Sequence, residues 1–423
     1  MNNVHSFYHL VTNHIRDITP LIYTPVVGDA CERWSEIYEQ PEDQGNLADV
    51  IANWPKPKVA ISCITDGSRI LGLGDLGING MGIPIGKLAL YTACAGVCPK
   101  MTLPLTLDLG TNNKSPWDDP FYMGSRHRRC GPAEEQSFLD ELMAALTSRW
   151  PEIIIQFEDF QPPFPALDGY KEHYACFNDD IKGTGAVVFG GIINAIKRSK
   201  LPFKEHRVVF LGSGSAGIGY FARQNDRGRQ LKSFDEGMDY VKPTILIGLS
   251  TLGDVFTPNI LGKMATWNTA PIIFPLSNPS RSLSVTSSVP LKPMAALSLL
   301  LDHPFRRSPS PILSARLQHT PRAKETICKA LSRALDEDEI ARGLIYPDIS
   351  RIREVSVIVA RNVIRTAQKD KVDRNIAIRD MSDADLETWI KARMYDPHSE
   401  VQNFESQISG LSSSPHICYA CHK

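Results

Sequence analysis

Strand-like and helix-like stretches alternate along most of this 423-residue chain, and this alternation limits the folds that it can adopt. Apolar stretches such as KVAISCITDG, MTLPLTLDLG and EIIIQFEDF are separated by longer stretches with helical periodicity. A strand followed by a helix and another strand forms a parallel sheet with helices on its faces. RVVFL, PTILIGLS and APIIFPLSN predict three further buried strands. The predicted fold class is therefore α/β.

A glycine-rich turn follows the strand-like stretch RVVFL. Gly212, Gly214 and Gly217 have the G-x-G-x-x-G spacing that brings backbone amides at a helix start to a pyrophosphate. A dinucleotide-binding turn of this kind continues into a helix and then a second strand that ends in an acidic residue. Here the polar run QNDRGRQ follows instead. The sequence thus predicts a dinucleotide-binding turn whose surrounding fold is incomplete.

The composition excludes several classes of function. With a formal net charge of −1, the chain favours neither nucleic acid nor a membrane surface as a partner. No apolar run reaches the roughly 18 residues of a membrane span. The first residues resemble neither a secretory signal nor a transit peptide, and nine cysteines in such a chain indicate free thiols in a reducing compartment. We expect a cytoplasmic protein, or a mitochondrial one if the true N-terminus is missing.

The C-terminal tail contains one cysteine motif. Cys418 and His422 enclose the C-x-x-C-H spacing of a c-type haem attachment, and the same residues could also bind zinc. The terminus is polar, however, and chain ends are commonly unstructured. We therefore favour an unstructured tail over residues 396–423.

Carboxylates follow two of the predicted strands. Glu158 and Asp159 end the stretch IIIQFEDF, and Asp179 and Asp180 stand in FNDDIKGTG just before a predicted helix. Oxygen ligands near the carboxyl ends of parallel strands suit Mg²⁺ or Mn²⁺ rather than zinc. Taken alone, adjacent acids of this kind are more often solvated loop residues.

Three further side chains stand out in the sequence. Lys87 begins an otherwise apolar helix, where it either extends to solvent or is buried with a pKa lowered into the range of a general base. Tyr23, at a predicted strand–turn junction, is by itself most often a packing residue with a satisfied hydroxyl. Arg69, directly before a glycine run, either binds a carboxylate with two hydrogen bonds or pairs with a surface acid.

In combination, these residues lie within a set of motifs that resembles the malic enzyme family. The motifs occur in family order from about residue 20 to about residue 395: YTPVVGDAC, SRILGLGDLGINGMGIPIGKLALYTACAG, LDLGTNN, DPFYMG, IQFEDF, FNDDIKGTG, LSNPS and GLIYPDISRIREVSVIVA. The glycine-rich lysine segment and FNDDIKGTG are long and specific. The resemblance implies oxidative decarboxylation of L-malate to pyruvate and CO₂ with reduction of NAD or NADP, and it implies oxaloacetate decarboxylation as a partial activity.

The resemblance also implies roles for the catalytic residues. By the family pattern, Lys87 is the general base that accepts the proton of the C2 hydroxyl. Tyr23 is the acid that protonates the enol of pyruvate. Asp179 adjusts the lysine or a metal ligand.

The same pattern implies the binding residues. Glu158, Asp159 and Asp180 match the family's ligands for Mg²⁺ or Mn²⁺, and Arg69 and Asn278 match contacts to the malate carboxylates. Gly212, Gly214 and Gly217 match the turn that binds NAD or NADP.

The sequence departs from the family after the glycine turn. The family has a helix, a cofactor-selecting strand and another helix before a segment like YFARQNDRGRQLKSF, whereas here Gly219 is joined directly to Tyr220. We interpret this as an internal deletion of several tens of residues. Because the selecting strand is missing, the sequence does not distinguish NAD from NADP.

A second departure begins after Arg281, where the chain is rich in Ser, Pro and Arg and has no sustained period. Codons TCG-CTG-AGT-GTG-ACT-TC, which encode SLSVTS, give A-E-C-D-F when they are read two bases on, and the family has this phrase after S-N-P-S. We therefore interpret residues 282–321 as a frameshifted segment and predict that they are disordered.

Together these observations predict a catalytic domain over 1–178, a truncated doubly wound cofactor domain over 179–321, and C-terminal helices over 322–395 that return to the catalytic domain. The family resemblance implies a homo-oligomer, either a dimer or a tetramer. Two functions compete: a malic enzyme, and an impaired relative or faulty gene product that retains only metal or keto-acid binding.

Overall fold

The computed structural model describes residues 4–23, 26–32, 46–70, 73–212, 233–249, 256–275, 321–373 and 375–398. Its helices are α1 (Val4–Asn13), α2 (Ile15–Ile22), α3 (Val26–Glu32), α4 (Leu47–Ala52), α5 (Gly82–Ala95), α6 (Ser115–Asp118), α7 (Pro132–Arg149), α8 (Pro163–Tyr170), α9 (Asp179–Ser199), α10 (Phe234–Val241), α11 (Pro258–Trp267), α12 (Pro321–Arg333), α13 (Glu337–Ala341), α14 (Ile352–Lys369) and α15 (Asp383–Lys391). Short 3-10 helices lie at Gly77–Met81, Pro99–Met101, Phe203–Glu205, Ile349–Arg351 and Ile376–Ile378. Its strands are β1 (Ile61–Thr65), β2 (Thr102–Thr106), β3 (Ile154–Phe157), β4 (Cys176–Asn178), β5 (Val208–Leu211), β6 (Ile245–Gly248) and β7 (Ile272–Pro275).

The first sheet has the strand order β2-β1-β3-β4, and all neighbouring strands are parallel. Every residue of β1 and β3 is buried, as expected for central strands covered on both faces. Ile61 and Ile154 pack in one core with Tyr91 of α5, whereas Ile155 lies in a second core with Leu146 of α7. The sheet thus lies between two layers of helices, and the predicted α/β class is confirmed.

The second sheet has the order β5-β6-β7 and is also parallel. Strand β6 is the central strand and is buried along its whole length. Helices α10 and α11 cover one face of the sheet through Met238, Ile260 and Met264. Strand β5 forms an edge of the sheet within the described residues, and Val208 at its start is 41% exposed. Among the described strands, the second sheet is therefore smaller and less enclosed than the first.

The C-terminal helices pack against the first half of the chain. Helix α12 lies against α9, and α14 lies against both α12 and α5. The guanidinium of Arg353 donates to the carbonyl oxygens of Ala93 at 2.8 Å and Tyr395 at 2.7 Å, so α14 is joined to the end of α5. Apart from Pro321, the segment 282–321 lies outside the described residues, and so does the tail from residue 399 with its C-x-x-C-H motif.

Two predictions from composition can be compared with this structure. No helix within the described ranges combines the length and the apolar character needed to cross a membrane. The cysteines among the described residues are free thiols, in agreement with the sequence: Cys31, Cys63, Cys94, Cys98, Cys130, Cys176 and Cys328.

Candidate active site

The candidate site lies at the carboxyl ends of two neighbouring strands of the first sheet. Strand β3 leads into Glu158 and Asp159, and β4 leads into Asp179 and Asp180, which begin α9. Because β3 and β4 are parallel and adjacent, their ends meet at one edge of the sheet, where ligands bind in α/β folds. The side chain of Asn178 caps α9 by accepting a hydrogen bond from the Ile181 amide at 3.2 Å.

Glu158, Asp159 and Asp180 form a three-carboxylate cluster. One carboxylate oxygen from each lies within 4.8 Å of the others, with Glu158 and Asp159 buried and Asp180 partly buried. These acids are thus not solvated loop residues. Burial and the charge of Glu158 raise the pKa of Asp180 to about 7. Hard oxygen donors at this spacing fit Mg²⁺ or Mn²⁺, and a cation would offset the repulsion among the three carboxylates.

Asp159 has a backbone conformation that supports this cluster. Its φ is +57°, in the left-handed region that non-glycine residues occupy at a cost and that Asp tolerates better than most. Its amide donates to a carboxylate oxygen of Asp180 at 2.9 Å, and its carbonyl accepts from the Arg69 amide at 3.1 Å. Two hydrogen bonds therefore hold the residue in this conformation and join the cluster to the loop that carries Arg69.

Lys87 lies on α5 and is only 2% exposed, so it does not extend to solvent. Its Nζ is 2.7 Å from Oε1 of Glu158 and 3.0 Å from Oδ2 of Asp179. Burial acts to lower the pKa of Lys87, but Glu158, Tyr23 and Asp179 outweigh it and raise the pKa well above its usual value. The interpretation in which burial lowers this pKa is therefore not met in this structure, because Glu158 and Asp179 stabilise the ammonium.

Tyr23 caps the C-terminus of α2 rather than lying at the predicted strand–turn junction. The preceding segment ITPLI forms a helix despite Pro20, with Ile15 and Thr19 buried. The Tyr23 hydroxyl donates to Oε1 of Glu158 at 3.2 Å, the oxygen that Lys87 also contacts. Burial raises the pKa of Tyr23 well above its usual value, so its hydroxyl keeps its proton at neutral pH.

Gly86 determines how closely α2 approaches α5. A Cβ at this position would lie 2.7 Å from Cδ2 of Tyr23 and 2.8 Å from the carbonyl oxygen of Ile22. Both distances are too short for a side-chain atom. The glycine directly before Lys87 therefore allows Tyr23 and Lys87 to reach the same carboxylate.

Arg69 lies in the loop after β1 and is partly exposed. Among the described residues, its guanidinium has no ion pair or hydrogen bond, so it does not pair with a surface acid of that set. Arg129 holds this loop by donating to the carbonyl of Asp66 at 2.9 Å and to Oδ1 of Asp75 at 2.7 Å. Arg129 was not predicted, since SRHRR reads as a basic surface run.

Gln156 is a second contact that the sequence did not reveal. It is fully buried, and its Nε2 donates to Oε2 of Glu158 at 2.5 Å. One oxygen of Glu158 is thus held by Gln156 while the other contacts Lys87 and Tyr23. The sequence signal that could have indicated this contact is the single amide side chain within the otherwise apolar strand β3.

The predicted cofactor residues are described only in part. Gly212 follows β5 with a φ of +104°, a conformation that favours glycine. Gly214, Gly217 and Asn278 lie outside the described residues. The structure therefore brings together the predicted metal and proton-transfer residues, and it leaves most of the predicted dinucleotide contacts undescribed.

Comparison with known proteins places this chain in a family. Residues 1–170 match the family model for the malic enzyme N-terminal domain, and residues 181–227 and 220–291 match that for the malic enzyme NAD-binding domain. An NADP-dependent malic enzyme of Dictyostelium discoideum is 36% identical over 468 residues, covering 92% of this chain and 85% of the relative. The chain belongs to the malic enzyme family.

Other members of the malic enzyme family are similar over shorter spans. The NAD-dependent malic enzyme of Idiomarina loihiensis is 39% identical over 350 residues, with 69% of this chain and 62% of the relative covered. Crystal structures of malic enzymes from Pyrococcus horikoshii and Entamoeba histolytica share the fold, with TM-scores of 0.55 and 0.52 at 19% and 16% identity. These structures cover 93% and 94% of this chain, and the chain covers 92% and 90% of them.

The match to the malic enzyme cofactor domain is broken. Its two parts, 181–227 and 220–291, meet near the junction of Gly219 and Tyr220, where the sequence predicts a deletion. The alignment with the Dictyostelium relative also runs over 468 residues although it uses only 92% of the 423 residues here, so that relative has segments without a counterpart. The break in the family-model match coincides with the predicted junction, and the truncation of the cofactor domain stays a prediction.

Proposed function

We propose that this chain carries the catalytic part of a malic enzyme, which with a complete cofactor domain oxidises and decarboxylates L-malate to pyruvate and CO₂, with NAD or NADP as hydride acceptor. The observation that carries the proposal is the shared carboxylate of Glu158, which contacts both Lys87 and Tyr23 beside Asp159 and Asp180. A base, an acid and a cluster suited to a divalent cation are the groups that this reaction requires.

The proposed roles of the side chains follow the family resemblance, and the contacts of the described residues support them. Lys87 accepts the proton of the C2 hydroxyl when it is neutral, and Asp179 orients its Nζ from 3.0 Å. Tyr23, which retains its hydroxyl proton, donates a proton to C3 of the enolate that decarboxylation leaves. Arg69, whose guanidinium has no partner among the described residues, binds a malate carboxylate together with Asn278.

Glu158, Asp159 and Asp180 would hold Mg²⁺ or Mn²⁺. When bound, such a cation orients the hydroxyl and carboxylate of malate and draws electrons from the C2 ketone. Gly212, Gly214 and Gly217 would hold the NAD or NADP pyrophosphate. The relatives include both NADP-dependent and NAD-dependent malic enzymes, so both dinucleotides belong to the proposal. A cytoplasmic homo-oligomer is also part of it, on the basis of the family resemblance and the sequence.

A second candidate function is decarboxylation of oxaloacetate without a dinucleotide. The described residues to which we assign proton transfer and metal binding lie between Tyr23 and Asp180, and none belongs to the second sheet. A chain with a shortened cofactor domain could retain this partial reaction while it loses malate oxidation.

The test compares the 423-residue chain with a version in which the segment after Gly219 and the reading frame of 282–321 are restored. With Mn²⁺, L-malate and either NAD or NADP, the restored chain should form pyruvate and reduced dinucleotide. The unrestored chain should oxidise little malate but decarboxylate oxaloacetate. If the restored chain is inactive with both dinucleotides, the proposed function is wrong.

A further inference from the structure

Arg129 is an arginine to which the proposed function assigns no role. It lies in the loop before α7, and its side chain is 9% exposed. Its Nη1 donates to the carbonyl oxygen of Asp66 at 2.9 Å and to Oδ2 of the same residue at 3.3 Å. Its Nη2 donates to Oδ1 of Asp75 at 2.7 Å, and its Nε donates to Oδ2 at 3.4 Å. All three guanidinium nitrogens therefore bind two points of the loop between β1 and α5.

The two acids that Arg129 joins lie on either side of Arg69 in the sequence. Asp66 precedes Arg69 by three residues, and Asp75 follows it by six. The side chain of Asp66 is 1% exposed and that of Asp75 is 17% exposed. Two such carboxylates repel each other unless a cation lies between them, and the planar fork of an arginine can bind both at once. Arg129 therefore holds together the two ends of the loop that carries Arg69.

Hydrogen bonds continue from Asp66 toward Arg69. Oδ1 of Asp66 accepts from the amide of Ser68 at 3.0 Å and from its hydroxyl at 2.7 Å. The hydroxyl oxygen of Ser68 in turn accepts from the amide of Gln161, in the segment after β3, at 2.8 Å. A continuous series of hydrogen bonds thus joins Arg129 through Asp66 to Ser68, the residue directly before Arg69, and to the end of the strand that carries the candidate site.

We propose that Arg129 is a positioning residue that fixes the loop of Arg69 for binding of a substrate carboxylate. This inference depends on the proposed function, because that function assigns the carboxylate contact to Arg69. The guanidinium of Arg69 has no ion pair or hydrogen bond among the described residues, so the observed contacts hold its backbone and not its charged group. A side chain on an ordered backbone loses less conformational entropy when it binds a ligand. Arg129 thus contributes to affinity for the hydroxy acid through the backbone of this loop.

The test uses Arg129→Lys in the 423-residue chain. A lysine keeps the positive charge between the two carboxylates, but its single nitrogen cannot reproduce the contacts of three guanidinium nitrogens. Calorimetry measures Mn²⁺ binding, and then L-malate binding at saturating Mn²⁺ without a dinucleotide, so that no turnover occurs. Arg129→Lys should weaken L-malate binding by about tenfold, the effect of ordering a long side chain and its loop, and should change the Mn²⁺ affinity by less than about twofold.

A double variant separates positioning from a general loss of structure. If Arg129 acts through Arg69, Arg129→Lys should have little further effect on L-malate affinity in an Arg69→Gln chain, because coupled residues do not contribute independently. Losses that multiply in the double variant would overturn the proposal, and so would equal L-malate affinity in Arg129→Lys and parent. Ser68→Ala breaks the same series of hydrogen bonds and decides the question if Arg129→Lys does not fold. It should weaken L-malate binding by about threefold or more, and unchanged affinity would overturn the proposal.

Arg353→Lys is the matched control, because Arg353 also donates to backbone carbonyl oxygens but outside the loop of Arg69. It should lower the melting temperature and leave the L-malate affinity unchanged. An equal loss of L-malate affinity in Arg129→Lys and Arg353→Lys would overturn the role of Arg129 alone. A parent chain that binds Mn²⁺ but no L-malate would reject the proposed function and the role of Arg129 with it.

Discussion

The two parallel sheets of this molecule differ in how well their strands are enclosed and in how continuous their family match is. At the first sheet, Lys87, Tyr23 and three carboxylates meet around the buried end of β3. At the second sheet, β5 lies at an edge among the described strands, and Val208 at its start is exposed. The family match is continuous over residues 1–170 but divided after residue 181.

This difference shows which parts of an enzyme can be identified from short motifs. The residues proposed for proton transfer and metal binding stand in brief segments at the ends of strands and helices or near helix starts, so each motif carries its own local structure. Dinucleotide binding requires a strand, a turn, a helix and a further strand in succession. A deletion within that succession leaves a recognisable glycine motif without the structure that supports it.

The largest expected effect concerns the catalytic domain (1–178), measured in a chain whose cofactor domain (179–321) is restored. Lys87→Ala should lower kcat for malate oxidation by about 10²–10⁴-fold, the usual contribution of a general base, while KM changes much less. Steady-state kinetics with Mn²⁺ and the active dinucleotide measures both values. An unchanged kcat in this variant would mean that Lys87 is not the base.

The next experiment tests whether the metal site forms independently of the cofactor domain. Mn²⁺ at a hundred times its Kd should stabilise the 423-residue chain by about 2.7 kcal/mol, and Asp180→Ala should remove the resulting shift in melting temperature. Asp168→Ala is the control, because Asp168 is an exposed acid paired with Lys171 away from the cluster. A shift that persists in Asp180→Ala places the metal elsewhere.

Much of the fold and most of this site could be predicted from the sequence, because both depend on local patterns. Six of the seven described strands fall within the predicted apolar stretches, and the acids after β3 and β4 meet because parallel neighbours share an edge. The long-range contacts could not be predicted. The raised pKa of Lys87 depends on Glu158 and Asp179, which are far away in the sequence.

The helical position of Tyr23 was missed for a related reason. Pro20 and Pro25 favour a turn at this point of the sequence. The observed helix α2 is stabilised instead by packing of Ile15 and Ile22 against distant parts of the chain. Gln156 was missed because a single amide does not change the apolar pattern of a strand, although it determines where one oxygen of Glu158 lies.

A third prediction compares one glycine from the catalytic domain with one from the cofactor domain. Gly86→Ala should lower the free energy of unfolding by about 1–3 kcal/mol, because the new methyl group overlaps Tyr23 and the Ile22 carbonyl. Gly262→Ala on α11 has open space around the new methyl group and should raise stability by about 0.4–1 kcal/mol. Urea denaturation of both variants measures the difference. Equal destabilisation would show that the close packing of α2 on α5 is not the cause.

The smallest effect concerns surface charge and has a defined pH dependence. Asp348 accepts hydrogen bonds from the Ser350 amide and from Arg16 of α2, and these contacts lower its pKa to about 2. A carboxylate whose pKa is lower in the folded state stabilises the fold above its unfolded pKa of about 3.9, and this contribution is lost as the pH falls toward 2. Asp348→Asn should therefore cost about 0.2–1 kcal/mol at pH 7, as for an exposed ion pair, and progressively less below pH 4.

Denaturation of parent and Asp348→Asn between pH 7 and pH 2 measures this dependence. A difference that stays constant with pH would mean that the aspartate acts by shape rather than by charge. The control lies in the cofactor half, where Lys263 pairs with Asp235 and Asp239 on the surface. Solvent screens such a pair, so Lys263→Gln should not shift the unfolding midpoint measurably. The Arg16 pair should matter more because it joins α2, the helix that leads into Tyr23, to the segment before α14, whereas the Lys263 pairs join only neighbouring helices of the smaller sheet.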